Sequence, residues 1–175
     1  MGKAADRGGP QAVRRAFSSA VVAAIAAALC TGCGLLSHDV TVSTNFTAGG
    51  GPSVSGQFAA SDLTTPLAAN AGDLSKLSSV TLQSVTLAST DTGDLSYVGP
   101  VSMTISANGL PDAVIASFAG SPPSGTNTVA FAVDSSKDLR PYLAASGVLK
   151  AVVTYAVQPV TARGLLLTLV VRGNL

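Results

Sequence analysis

Few residues in this chain are able to do chemistry: two cysteines, Cys30 and Cys33, one histidine, His38, and nine acidic residues, all of them aspartate. Ser37-His38-Asp39 holds the three residue types of a hydrolase triad. Consecutive side chains of an extended segment point to opposite faces, however, whereas a triad needs three groups converging within hydrogen-bond reach. The run also falls in what reads as a tether, so a solvated histidine is expected there. One histidine cannot assemble a nitrogen- or sulfur-liganded metal site. Asp91-Thr92-Gly93-Asp94 offers oxygens to calcium but lacks a dense acidic loop, and reads as a turn leading into a capped helical turn. Gly49-Gly50-Gly51-Pro52 lacks the Lys and Ser/Thr of a phosphate loop and reads as a turn between strands. A paired-carboxylate glycosidase would want aromatic sugar platforms; there is no tryptophan. Phe46, Phe58, Phe118, Phe131 and Tyr155 fall in strand-like segments and read as core, while Tyr97 and Tyr142 fall in turns. No catalytic, metal-binding or cofactor-binding residue is expected. An enzyme would need Asp91, Asp112 and Asp134 to meet in one cleft.

The amino-terminal region explains the cysteines. Lys3, Arg7, Arg14 and Arg15 stand against the single acid Asp6, and Ala16 to Leu29 follow without a charge. This charged-then-apolar order is that of a secretory signal, and a run of about 14 residues is shorter than the roughly 20 that span a bilayer as a helix. Leu29-Cys30-Thr31-Gly32-Cys33-Gly34 comes next, with small residues directly before Cys33.

That segment resembles the lipobox of bacterial lipoproteins. Thr31 and Gly32 match the small positions before the acceptor, while Cys30 departs from the usual aliphatic residue. The resemblance covers about the first 34 residues and implies diacylglyceryl transfer to the Cys33 thiol, cleavage before it, and acylation of the new amine. Two or three acyl chains on one residue hold a protein durably at a membrane, where one holds only marginally. Gly34 follows the acceptor, with no aspartate of the kind that retains enterobacterial lipoproteins in the inner membrane, so outer-membrane delivery is implied for a two-membrane host. Arg14-Arg15-Ala16-Phe17 is similar to the twin-arginine export pattern; a Sec signal with two arginines in its basic region fits at least as well. The expected division is a signal peptide over 1–32, a lipid-anchored tether over 33–37 and one domain over 38–175.

Beyond Cys33, eight aspartates face six Lys and Arg residues, a formal balance of −2. Six dispersed cations do not make the clustered basic surface that nucleic-acid binding requires. No intrachain disulfide is possible once Cys33 is lipidated and Cys30 removed. Low charge with abundant Ser, Thr, Ala, Val and Gly fits hydroxyl-covered β-structure.

Strand-like segments recur at Val40 to Phe46, Val54 to Phe58, Val80 to Ala88, Val101 to Ser106, Ala113 to Phe118, Val129 to Val133, Val148 to Val157 and Leu165 to Val171. The fold class they predict is all-β: a single antiparallel β-sandwich of about seven or eight strands, immunoglobulin-like or jelly-roll-like, with short capped helical turns. Val101, Met103 and Ile105 alternate with Ser102, Thr104 and Ser106, giving a sheet with one wet face. In Val80 to Ala88 the apolar parity switches between Leu82 and Val85, which predicts a bulge near Gln83-Ser84. Leu165, Leu166, Leu167 and Leu169 run together and are expected to be buried on both sides. Asn108-Gly109 and Arg163-Gly164 are expected in the connections of hairpins. Four Asp-Leu pairs, at Asp62, Asp73, Asp94 and Asp138, each precede another apolar residue three or four positions after the Leu, the pattern of an Asp-capped single helical turn pinned onto a sheet edge. Ala16 to Leu29 is the one long helical pattern.

Three functional classes compete. The leading expectation is a non-enzymatic lipid-anchored envelope protein, a structural or interaction module of the outer membrane. Its partners would be the membrane, through acyl chains on Cys33, and an envelope protein or polymer, with no nucleic acid. A carrier of an apolar ligand in a sandwich cavity comes second, and a hydrolytic enzyme third.

Overall fold

The structure, a computed structural model, describes residues 37–49, 51–91, 93–157, 159 and 161–175. Two antiparallel sheets lie face to face. Nine strand segments supply them: β1 (Ser37–Ala48), β2 (Ser53–Ala59), β3 (Ser79–Ser89), β4 (Val98–Ala107), β5 (Leu110–Phe118), β6 (Thr128–Ala130), β7 (Ala132–Val133), β8 (Val148–Tyr155) and β9 (Arg163–Asn174). One sheet runs β1-β9-β3-β6 and the other β2-β8-β4-β5-β7. The segment expected as one strand over Val129 to Val133 is split at Phe131, which turns inward and hands the chain from one sheet to the other. With β6 and β7 counted as one strand of the first sheet, every connection except the β4–β5 hairpin passes between the sheets. That is the connectivity of a double-sheet jelly roll rather than of an immunoglobulin sandwich.

The dry faces follow the period-two pattern. In the first sheet Val80, Leu82, Val85, Leu87, Leu165, Leu167, Leu169 and Val171 point inward; Phe58, Met103, Ile105, Ile115, Leu149 and Val153 meet them from the second. The expected bulge is present: Leu82 pairs with Val171 and Ser84 with Val170, leaving Gln83 as the extra residue. Without that residue Val85 and Leu87 would face water.

Four expectations are corrected. β9 is not buried on both sides; its residues alternate strictly, with Leu166, Thr168 and Val170 half-exposed on the outer face. On that face Val170 lies between Thr41 and Ser84 and Leu166 between Asn45 and Ala88, and the Ser43 and Thr168 hydroxyls share a hydrogen bond of 2.9 Å there. Arg163 and Gly164 are the first residues of β9 rather than a turn. Ser37, His38 and Asp39 belong to β1, not to a tether. Finally, α1 (Ala60–Ala71) is a twelve-residue helix, where only a single turn was expected. Asp62 sits one turn inside it, and its carboxylate accepts from the Ala59 amide at 2.8 Å, closing the helix start from within.

α1, the short 3-10 turn η1 (Leu74–Lys76) and α2 (Arg140–Ala144) all lie at the end of the sandwich where β1 starts and β9 stops. Leu63 and Leu67, one turn apart, bury the apolar stripe of α1. Gly173 of β9 makes room for Leu67 and for Leu77 after η1: a Cβ there would stand 3.1 Å from both. This closes the bottom of the core. The Asn108-Gly109 turn is at the same end, with Gly109 at φ +79°, a left-handed conformation that suits glycine.

Adjacent positions of β9 give a direct test. Leu167→Ala should lower unfolding free energy by about 2–5 kcal/mol and Leu166→Ala by about 1 kcal/mol or less, measured by urea denaturation. Equal losses would mean that both faces of β9 are dry.

Candidate functional site

Cys30, Cys33, the lipobox-like run, the twin arginines and the Ala16–Leu29 segment lie outside the described residues. Of the candidate triad, Ser37 and Asp39 share the outer face of β1, and His38 faces inward with Val40 and Val42. Asp39 is engaged elsewhere. Arg172, its register partner on β9, donates to its two oxygens at 2.7 and 2.8 Å and holds its carboxyl below the usual range.

The two ends of the sandwich differ in kind. At one end lie the connections β1–β2, β3–β4, β5–β6 and β8–β9, with Asp91, Asp94, Tyr97, Tyr155 and Arg163 among them. Asp91 accepts from the Gly93 amide and the Ser89 hydroxyl, both at 2.8 Å, and forms an ion pair with Arg163 at 3.6 Å. Arg163 in turn lies 6.0 Å from the centre of the Tyr97 ring. Gly93 makes room for it, since a Cβ there would overlap the guanidinium. Tyr97 packs 6.1 Å from Tyr155, whose hydroxyl accepts from the Gly49 amide at 3.0 Å. Neither Tyr97 nor Tyr142 is freely exposed; the Tyr97 hydroxyl is buried and has no hydrogen-bond partner among the described residues, and burial pushes its pKa up to about 12. Asp94 locks two loops together. One of its oxygens takes the Ser96 amide and hydroxyl, while the other takes the Gly125 amide at 2.7 Å and the Ser124 hydroxyl. These donors, the Gly125 amide foremost, hold its pKa down at about 2.

At the other end are the helices. Asp138 accepts from the Val80 amide at 2.9 Å and from the Arg140 amide at 3.0 Å, and the Leu139 amide donates to the Val80 carbonyl at 2.7 Å. The 138–139 segment thus covers the free edge of β3 before α2 begins. Arg140 donates to the Leu77 carbonyl at 2.7 Å, tying α2 to η1. Between them is a cleft of about 280 Å³ lined by Leu74, Ser75, Val80, Arg140, Pro141, Leu143 and Ala144. Its walls are mostly hydrocarbon. A second, shallower depression of about 360 Å³ lies on the outer face of the other sheet around Pro100, Ser102, Val152 and Thr154. The space between the sheets is filled by the core side chains.

All four Asp-Leu pairs have structural roles: Asp73, Asp94 and Asp138 each accept an amide two residues on, and Asp62 accepts one three residues back. Asp91, Asp112 and Asp134 do not assemble; among the described residues no three His, Cys, Asp or Glu side chains converge as a metal site requires. Sequence reasoning missed the Arg163–Tyr97 contact and the helical-end cleft, since each joins segments far apart in the chain.

No family model matches the chain, and no curated protein does. Among solved structures, a chain from Desmodium yellow mottle tymovirus overlaps 85% of this chain and 94% of its own, at 15% identity and a TM-score of 0.29. That overlap is too loose to bear on fold or function.

Asp94 titrates with the fold. Its lowered pKa means that its contribution is complete above the unfolded value near 3.9 and disappears as pH falls through about 2. Asp94→Ala should therefore lower the melting temperature by several degrees at pH 7, with the gap from wild type narrowing as pH falls from 4 towards 2. A gap constant over that range would show that Asp94 acts through something other than its charge.

Proposed function

We propose that this protein is a lipid-anchored component of a bacterial envelope, exported by its amino-terminal signal, acylated on Cys33, and working without catalysis as an interaction or structural module of the outer membrane. The observation that carries the reading is the lipobox-like run Leu29-Cys30-Thr31-Gly32-Cys33 after an uncharged apolar segment, and Ser37, four positions after Cys33, is already in β1. Four extended residues reach at most about 14 Å. An anchor on Cys33 therefore holds the helical end of the sandwich against the membrane and turns the β1–β2, β3–β4, β5–β6 and β8–β9 connections away from it. β9 spans twelve residues, or about 40 Å, so the outward connections stand clear of the lipid headgroups.

The outward end suits a partner that is itself part of the envelope. Asp94 fastens the β3–β4 connection to the β5–β6 connection and Asp91 pairs with Arg163 at the start of β9, which supports recognition by a preformed surface rather than by loops that order on contact. The carrier reading draws support from the apolar cleft beside α2 and the depression around Pro100 and Val152, both of which lie outside the sandwich core.

Intact mass of membrane-extracted protein tests the anchor. Wild type should give residues 33–175 with two or three acyl chains, and Cys33→Ser should give an unacylated chain released from membranes. An unacylated wild type, or cleavage elsewhere, overturns the reading.

A further inference from the structure

We infer that the cleft between η1 and α2 receives an acyl chain carried by Cys33 of the same polypeptide. The inference rests on the anchored reading above and names where part of the anchor goes. Five of the seven lining residues are Leu74, Val80, Pro141, Leu143 and Ala144, so the walls select hydrocarbon. Pro141 and Ala144 are exposed and Leu74 is half-exposed, leaving an apolar mouth open at the surface of the described residues. The charges around that mouth cancel: Arg140 is paired with Asp138, and Lys76 stands beside Asp73. A neutral rim favours neither an anionic nor a cationic headgroup, and recognition is left to the chain itself.

Position supplies the occupant. Ser37 pairs with Asn174 and Asn174 with Ser79, so Ser37 lies two strand spacings, about 10 Å, from the residue next to Val80 in the cleft wall. Cys33 is within about 14 Å of Ser37. A tether this short keeps the effective concentration of its acyl chains at the cleft high. A residue with two or three chains can seat one in the protein while the others remain in the membrane. The cleft holds about nine water volumes at roughly 30 Å³ each, room for part of a hydrocarbon chain but not for a whole lipid. Withdrawing one chain from the bilayer would fix the tilt of the domain and cover an apolar mouth that is otherwise wet.

The test is amide hydrogen exchange on the full chain, the acylated forms held in lipid nanodiscs and the Cys33→Ser forms free beside empty ones, read at Leu77, Leu143 and Ala145, whose amides bond to the Leu74, Leu139 and Pro141 carbonyls in and beside the cleft walls. Four proteins are compared: wild type, Cys33→Ser, Ala144→Phe, and the double variant. Ala144 is exposed, so a phenylalanine at this position fills the cleft without entering the core. Acylation should slow exchange at these amides by about tenfold or more where Ala144 is kept, and leave it unchanged in the Ala144→Phe background, where the ring already occupies the space. Equal slowing in both backgrounds would mean that the membrane surface, not the cleft, protects them, and would overturn the inference. No slowing in either would also overturn it. Intact mass of each sample separates the two claims: acylated protein with an unchanged exchange pattern defeats the cleft assignment alone, whereas unacylated wild type defeats the anchor and the cleft assignment with it.

Discussion

Each sheet of this protein has one face that must be dry, and neither can be dry alone. Leu82, Leu87, Leu167 and Leu169 on one side, and Met103, Ile105, Ile115 and Leu149 on the other, leave water only by covering each other. The rest of the structure answers to that constraint. Strands must alternate in polarity, so the outer faces carry Ser and Thr. The chain must cross between sheets at nearly every turn, so its connections gather at two ends. Where the alternation slips, as at Gln83, a bulge has to restore it.

Concentrating the connections at the ends concentrates unpaired backbone amides there as well, and aspartate accepts from several of them. Asp62, Asp73, Asp94 and Asp138 each accept local amides, and Asp94 and Asp138 also take one from a distant segment. In a chain with so few charged residues this leaves little carboxylate for chemistry. The two ends are nonetheless unlike. One is capped by helices that close the core and leave an apolar cleft; at the other, Asp94 joins the β3–β4 and β5–β6 connections and Asp91 pairs with Arg163 of β9. The proposed anchor on Cys33, four residues before Ser37, would give that asymmetry a direction, with the hydrocarbon-lined end towards lipid and the polar end towards solvent and partners.

Much of this was legible from local pattern. The bulge was visible as a switch of parity between Leu82 and Val85, and the Asp-Leu turns as a capping residue followed by two apolar positions one turn apart. The full length of α1 is not legible because Thr64, Thr65 and Pro66 disfavour a helix in isolation; it forms because Leu63 and Leu67 are buried, with Gly173 making room for Leu67. β9 looked two-sided because Leu166 and Val170 are apolar, yet a sequence run does not say that β9 lies over a core on one face only. The switch of sheets at Phe131, the half-burial of Tyr97 under Arg163 and the cleft between η1 and α2 each depend on residues more than 50 positions apart or on a choice between two sheets, and no local period encodes them.

The central claim is one of orientation: the helical end faces the bilayer. It is tested most directly by placing a fluorophore at Ala145→Cys, beside α2, or at Ser121→Cys, in the β5–β6 connection, and measuring quenching by nitroxides on the lipid headgroups of vesicles carrying the acylated protein. The account predicts strong quenching at position 145 and little at 121. Stronger quenching at 121, or equal quenching at both, would contradict it.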